Sequence, residues 1–229
     1  VRSLLLVALA SGSVASGPPV HVEPIGRSVQ GRPIAVTRVG DPAAPRKVLV
    51  VGCVHGEEPA GRSIAAVLAR SAPPAGTQLL VVRDLNPDGV AHRTRANAHG
   101  VDLNRNSAEH WAGAGPRPWS EPETRALRAL ILRERPSLTI YFHQPFGLVD
   151  VPETGGTAVS RRYAALTGLP LHRQRAFPGS LSRWQNARVA PGSAFVVELP
   201  RGRLSAAARD RHVAAVLRLA AEPARAARR

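Results

Sequence analysis

Four short, almost continuously apolar runs constrain this chain more than any other feature: KVLVVGCV (47–54), TQLLVVRDL (77–85), SLTIYF (137–142) and SAFVVEL (193–199). Runs of this length and β-branched content read as strands, and their lack of alternation means that both faces are covered. GRPIAVTRVG (31–40) reads as a further strand ahead of them. Between the strands lie segments with helical spacing. Pro59 opens one that carries Ile64, Val67 and Leu68; Ser120 with Glu123 reads as a capping box for a helix reaching Arg133; a third lies near 159–167, and LSAAARDRHVAAVLRLAAE (204–222) closes the chain. Strands alternating with helices predict a layered α/β sheet. Residues 86–119, rich in Asn, Gly, Pro and Trp, show no clear period and form too long a connection to be passive, which marks them as a functional loop.

A chain of 229 residues can bury one substantial core, so one domain is expected. Cys53 is the only cysteine, which excludes an intramolecular disulfide, a cysteine-based zinc site and a dithiol redox pair. Any metal must then be held by His, Asp or Glu. The net charge of +15 comes almost wholly from arginine, since Lys47 is the one lysine, and its field favours anionic polymers such as an acidic cell wall. Aromatics are only 4% and no base-stacking motif is present, which argues against a dedicated nucleic-acid binder. The N-terminus, VRSLLLVALASGSVASGPP, has an early arginine, a short apolar run and a Val14-Ala15-Ser16 cleavage-like site; it resembles a secretory signal and is too short to span a bilayer. The expected organisation is a signal or disordered N-terminus over 1–19, a catalytic domain over 20–222 and a basic tail over 223–229. Export to the cell envelope or medium follows from the signal, with a cytoplasmic location as the alternative if residues 1–19 are a plain N-terminal segment.

The polar residues stand at the carboxyl ends of the apolar runs. His55, Glu57 and Glu58 follow the first, Asn86 and Asp88 the second, His143 the third, and Glu198 lies within the fourth. In open α/β sheets ligands bind outside the strand carboxyl ends, so independent strands deliver these groups to one place. Two imidazoles with either Glu57 or Glu58 make an open His₂Glu zinc site. Glu198, set in an apolar strand, suits a general base, and Asp102 suits a carboxylate that fixes a histidine tautomer. Singly, each has an ordinary reading: a turn histidine, acids favouring a helix N-terminus, half of an ion pair with Arg105 or Arg201. Coincidence across strands is what argues for a site. His55-Gly56-Glu57 matches half of the zinc deaminase signature, but the cysteines of the other half are missing. There is no H-E-x-x-H, G-x-S-x-G or Walker A sequence.

HGEEPAG (55–61), NPDG (86–89), TRANAHGVDLNRN (94–106), His143 after an apolar strand and VVELP around Glu198 together resemble the zinc metallocarboxypeptidases, in that family's order over about residues 26–200. The compact DLNRN form is most similar to the bacterial murein peptide amidase branch, which cuts the γ-D-glutamyl to diaminopimelate bond of cell-wall peptides. The resemblance implies a mixed, mostly parallel sheet sandwiched by helices and one zinc ion held by His55, Glu58 and His143. It implies Glu198 as the acid that activates water, Asn104 and Arg105 as the holders of a substrate carboxylate, Arg95 as the arginine that polarises the scissile carbonyl with Arg93 as its rival, and Asp102 as the carboxylate behind the first histidine.

Two departures stand out. The family's mobile tyrosine has no counterpart, since Tyr163 is the only tyrosine between His143 and Glu198 and lies in a helical stretch; Phe177 or Trp184 are candidates to wall the pocket instead. No acid or base marks the floor of a specificity pocket in the sequence. The expected activity is hydrolysis of an amide next to a free carboxylate in a peptidoglycan-derived peptide, with an anionic cell wall as an electrostatic partner and no specific nucleic acid or transmembrane segment. The alternatives are a zinc-dependent N-acyl amino acid deacylase of the desuccinylase or aspartoacylase kind, and a non-catalytic cell-wall or polyanion-binding protein.

Overall fold

The computed structural model describes residues 17–153, 155–173, 177–189 and 192–222; the signal-like residues 1–16 and the basic tail 223–229 lie outside the described residues. Eight strands form one sheet: β1 (Val20–Arg27), β2 (Pro33–Val39), β3 (Arg46–Val51), β4 (Thr77–Val82), β5 (Leu138–His143), β6 (Phe146–Asp150), β7 (Leu171–His172) and β8 (Ser193–Pro200). Their order is β1-β2-β4-β3-β5-β8-β6-β7. The central strands β4, β3, β5 and β8 run parallel, while β2 joins β4, β1 joins β2 and β6 joins β8 antiparallel.

Side chains leave the central strands alternately toward two cores. Val48 and Val50 point with Leu79, Ile140 and Phe195 to the face covered by α1 (Ala60–Leu68), α4 (Thr157–Thr167) and α6 (Ala206–Ala221). Leu49 and Val51 point with Leu80, Tyr141 and Val196 to the face covered by α3 (Pro122–Glu134) and α5 (Leu181–Arg188). Burial on both faces is why these runs are apolar without alternation. The mixed sheet between helices agrees with the expected fold class.

The differences lie at the edges and caps. KVLVVGCV leaves the sheet at Val51, so Gly52–Val54 belong to the exit from the strand. β1, β6, β7, α5 and the short α2 (Pro87–His92) are additional to the elements read from sequence. The Ser120–Glu123 capping box does not form. Pro122 sets the helix start later, with Glu121 at the N-cap; Ser120 Oγ donates to Glu121 Oε1 at 2.6 Å, and Glu123 is fully buried against Val29 N and Asn97. Among the described residues no helix is long and apolar enough to cross a membrane.

Candidate active site

β5 and β8 end side by side, with His143 and Glu198 paired across the parallel ladder. Beside them the chain leaving β3 turns back on itself, Glu58 N donating to the His55 carbonyl at 3.0 Å. The turn can sit there because Gly56 packs backbone to backbone on Gly89: a Cβ at Gly56 would lie 1.8 Å from the Gly89 carbonyl carbon. The HGEE and NPDG sequences are thus two halves of one contact. His55, Glu58 and His143 are buried by this arrangement, whereas Glu57 is exposed.

One ligand atom from each of His55, Glu58 and His143 lies within 4.8 Å of the others. His55 Nδ1 is 2.9 Å from Glu58 Oε1, His143 Nδ1 is 2.9 Å from Glu58 Oε2, and the two Nδ1 atoms are 3.1 Å apart. On its other side His55 Nε2 lies 3.0 Å from Asp102 Oδ1. Burial pushes the Asp102 carboxyl up, but the His55 bond and the Arg95 charge outweigh it, so Asp102 stays ionised far below the usual carboxylate range. An ionised Asp102 favours a proton on Nε2, and Nδ1 is then the nitrogen that faces the Glu58 oxygen. Burial alone would lower His55, but the bonds to Asp102 and Glu58 raise it, so these two carboxylates favour a positive charge on or beside the ring. A proton on Nδ1 satisfies the contact with Glu58, and a metal cation bound by Nδ1 and the carboxylate can take that proton's place. Burial likewise raises Glu58, yet the His143 and His55 bonds hold it down at about 2, so it is an anion. Two imidazole nitrogens and a carboxylate are the donor set of a His₂Glu zinc site, and the residues present fit that ion.

Glu198 stands beside this cluster with Oε2 buried and without a hydrogen-bond partner among the described residues. Burial, followed by the Glu58 charge, pushes its carboxyl up to about 7. Arg95 donates from Nε to Asp102 Oδ2 at 3.0 Å and from Nη1 to Glu58 Oε1 at 3.2 Å. Asp102 also caps the 3₁₀ turn Leu103–Arg105, accepting from Asn104 N at 2.8 Å. Asn104 Oδ1 accepts from Leu181 N at 3.1 Å, which ties this turn to the start of α5. The Arg105 guanidinium lies 4.2 Å from the centre of the Phe177 ring.

These groups open on one cavity of about 320 Å³ that His55, Glu58, Arg95, Asn104, Arg105, His143 and Glu198 all line. Arg93 does not line it; it is exposed, in a left-handed conformation at the end of α2. Phe177 lines the cavity, but Trp184 is a core residue packed edge-on against Trp119 at 4.8 Å. Tyr163 is fully buried in α4 with its hydroxyl 2.8 Å from His212 Nδ1, so no described tyrosine reaches the cavity.

The sequence singled out no acid or base for the floor of a specificity pocket, but the cavity has charged lining beyond the residues it named. Asp150 at the end of β6, Glu153 and its partner Arg183, whose Nη1 lies 2.9 Å from the Glu153 carboxylate, are among the residues that line it. Sequence reasoning missed them because their place depends on how the β6–α4 connection and α5 fold over the cavity. The one available signal was that FGLVD is an apolar run ending, like the others, in a polar residue.

Comparison with known proteins agrees with this geometry. The family pattern described as "Zinc carboxypeptidase" matches residues 14–149. Murein peptide amidase A of Escherichia coli (strain K12) is 32% identical over 189 residues, spanning 72% of this chain and 76% of its own length. The crystal structure of murein-tripeptide amidase MpaA from Escherichia coli O157 superposes with a TM-score of 0.72 at 27% identity, covering 96% of this chain and 99% of that one. Carboxypeptidase A from Helicoverpa armigera shares the fold at 20% identity, with a TM-score of 0.74 over 88% of this chain and 68% of its own. On its sequence match and its architecture, the chain belongs to the zinc carboxypeptidase family.

Proposed function

We propose that the protein is a zinc-dependent hydrolase that cleaves an amide bond beside a free carboxylate in peptidoglycan-derived peptides. The observation that carries the reading is a buried, unpartnered Glu198 oxygen set beside a convergent His55–Glu58–His143 cluster. The murein peptide amidases among its relatives support the substrate class.

When bound by His55, Glu58 and His143, zinc supplies Lewis acidity toward a water and a carbonyl. The chain's own groups do the rest. Glu198, with its carboxyl near neutrality, takes a proton from the attacking water and returns it to the leaving nitrogen. Arg95 donates to the carbonyl oxygen as negative charge builds there. Asn104 and Arg105 hold the substrate's free carboxylate, the Arg105 guanidinium being kept in place by the face of Phe177. Asp102 orients His55. The domain spans 20–222, and the apolar N-terminus directs it to the cell envelope, where the net charge of +15 favours contact with an anionic wall. A binding-only role would give no reason for the raised Glu198 carboxyl, and the relatives favour peptide amides over N-acyl amino acids.

The test is metal-analysed, chelator-controlled turnover of muropeptides and N-acyl amino acids with chromatographic product identification. Glu198→Gln should retain zinc while kcat falls by about 10²–10⁴. His143→Ala should lose the metal. Near-normal turnover by Glu198→Gln would overturn the base assignment, and preference for N-acyl amino acids would move the enzyme to the deacylases.

A further inference from the structure

The N-terminus of α3 carries two buried carboxylates that the reaction above does not use: Glu121 at the N-cap and Glu123 in the first turn. Glu121 and Glu123 are 1% and 0% exposed, and both accept from one side-chain amide: Asn97 Nδ2 lies 2.7 Å from Glu121 Oε2 and 3.0 Å from Glu123 Oε2. Every other polar group of Asn97 is also engaged. Its Oδ1 accepts from His99 N and Val101 N, both at 3.1 Å; its backbone N donates to the Val101 carbonyl at 3.0 Å, and its carbonyl accepts from Gly100 N at 2.9 Å. Glu121 also accepts from Ser120 Oγ and lies against His99 Nδ1, and Glu123 accepts from Val29 N. A second asparagine repeats the grip further along: Asn106 Oδ1 accepts from Thr124 Oγ1 at 2.8 Å and Glu121 N at 3.3 Å.

Asn97 and Asn106 therefore bracket Asp102, Asn104 and Arg105 and dock that stretch on the start of α3. Only Ala96 separates Asn97 from Arg95, so a shift of Asn97 reaches Arg95 with little loss along the chain. The Arg95 guanidinium is tied to Asp102 and Glu58, whereas its backbone carbonyl accepts a long bond from Asn86 Nδ2 at 3.4 Å. Asn97 is thus a firm anchor of the backbone near Arg95. If stability were the only demand, apolar side chains would fill the space under the loop without desolvating two carboxylates. A directional grip on one amide instead fixes register.

We propose that Asn97, held by Glu121 and Glu123, is a positioning residue that aims Arg95 at the reacting carbonyl. The inference rests on the role of Arg95 in the proposed function. A group displaced by about 1 Å from its working geometry can cost about a hundredfold in rate, which is the scale at which a lost grip should act.

The experiment is a double-mutant cycle on the zinc-loaded full chain, reading kcat and KM on a γ-D-glutamyl-diaminopimelate peptide. Asn97→Ala should lower kcat about 10- to 100-fold with zinc content kept and KM changed far less, because Arg95 acts in the transition state. In an Arg95→Ala background the same change should cost less than about threefold, since the residue it acts through is gone. Tyr163→Phe, which removes a buried bond away from the cavity, gives the baseline for plain destabilisation. Where Asn97→Ala does not fold, Glu121→Gln, which leaves one oxygen for donors that now have two, runs through the same cycle. Losses that multiply, or an Asn97→Ala enzyme within twofold of the parent, overturn the inference alone. An Arg95→Ala enzyme of undiminished rate overturns both it and the proposed role of Arg95.

Discussion

His55 and Asp102 meet at 3.0 Å between Nε2 and Oδ1, and this contact decides which nitrogen of His55 is free for a metal. With a proton on Nε2, Nδ1 is the nitrogen left to bind a metal, and it faces Glu58 and His143. Asp102 is itself held by Arg95, so one carboxylate links the metal cluster to the arginine over the cavity.

The first prediction follows from that link. Asp102→Asn keeps an oxygen that can accept from Nε2 but removes the charge that raises ligand basicity, so zinc affinity should fall about 10- to 100-fold. Competition against a chromogenic chelator measures it directly. Affinity unchanged from the parent would mean that Asp102 does not set the tautomer.

How much of this was legible in the sequence depended on burial. The central strands β3, β4, β5 and β8 announce themselves because both faces are covered, and His55, His143 and Glu198 could be found because they stand where those strands stop. β1 was not legible: Val20 and Val22 are exposed on an outer strand interrupted by Pro24, so VHVEPIGR carries no burial pattern to read. Asp150 and Arg183 were hidden because β6 is a short strand and α5 a short helix of mostly polar residues, and no local pattern encodes their placement against the cavity. Ser120 and Glu123 misled for a different reason. Their spacing is that of a capping box, but a buried partner, Asn97, lies far away in sequence and competes for the acid.

Glu57 and Glu58 are adjacent acids that the strand-end pattern could not separate, and the structure separates them by side-chain direction. Glu58 is 5% exposed and faces both histidines, while Glu57 points to solvent. Glu57→Ala should therefore leave zinc content unchanged and shift stability by no more than about 0.5 kcal/mol. Glu58→Ala should lose the metal, because two imidazoles alone leave the site without its anionic ligand. Metal analysis of the two proteins after identical dialysis decides between them; zinc lost from Glu57→Ala and kept by Glu58→Ala would return the assignment to Glu57.

The last prediction concerns stability rather than catalysis. Glu134, at the end of α3, receives Arg38 Nη2 at 2.8 Å, Lys47 Nζ at 2.7 Å and Arg133 Nε at 2.8 Å, with only 7% of its side chain exposed. Burial raises its carboxyl, but the bonds from Arg38, Lys47 and Arg133 outweigh that and hold it at about 2. Because the folded value lies below the unfolded one of about 4.3, the unfolded chain binds the proton first as pH falls. The contribution is thus complete above the unfolded value and is lost between there and about pH 2. Glu134→Gln removes the charge at every pH, so it should lower Tm by several degrees at pH 7, each kcal/mol being worth roughly 2–4 °C in a domain of this size. The gap between the parent and Glu134→Gln should narrow as pH is taken from 5 toward 3. Thermal melts of the two proteins across that range test the sign as well as the size, and a gap that stays constant with pH would show that Glu134 stabilises the fold through packing and not through its charge.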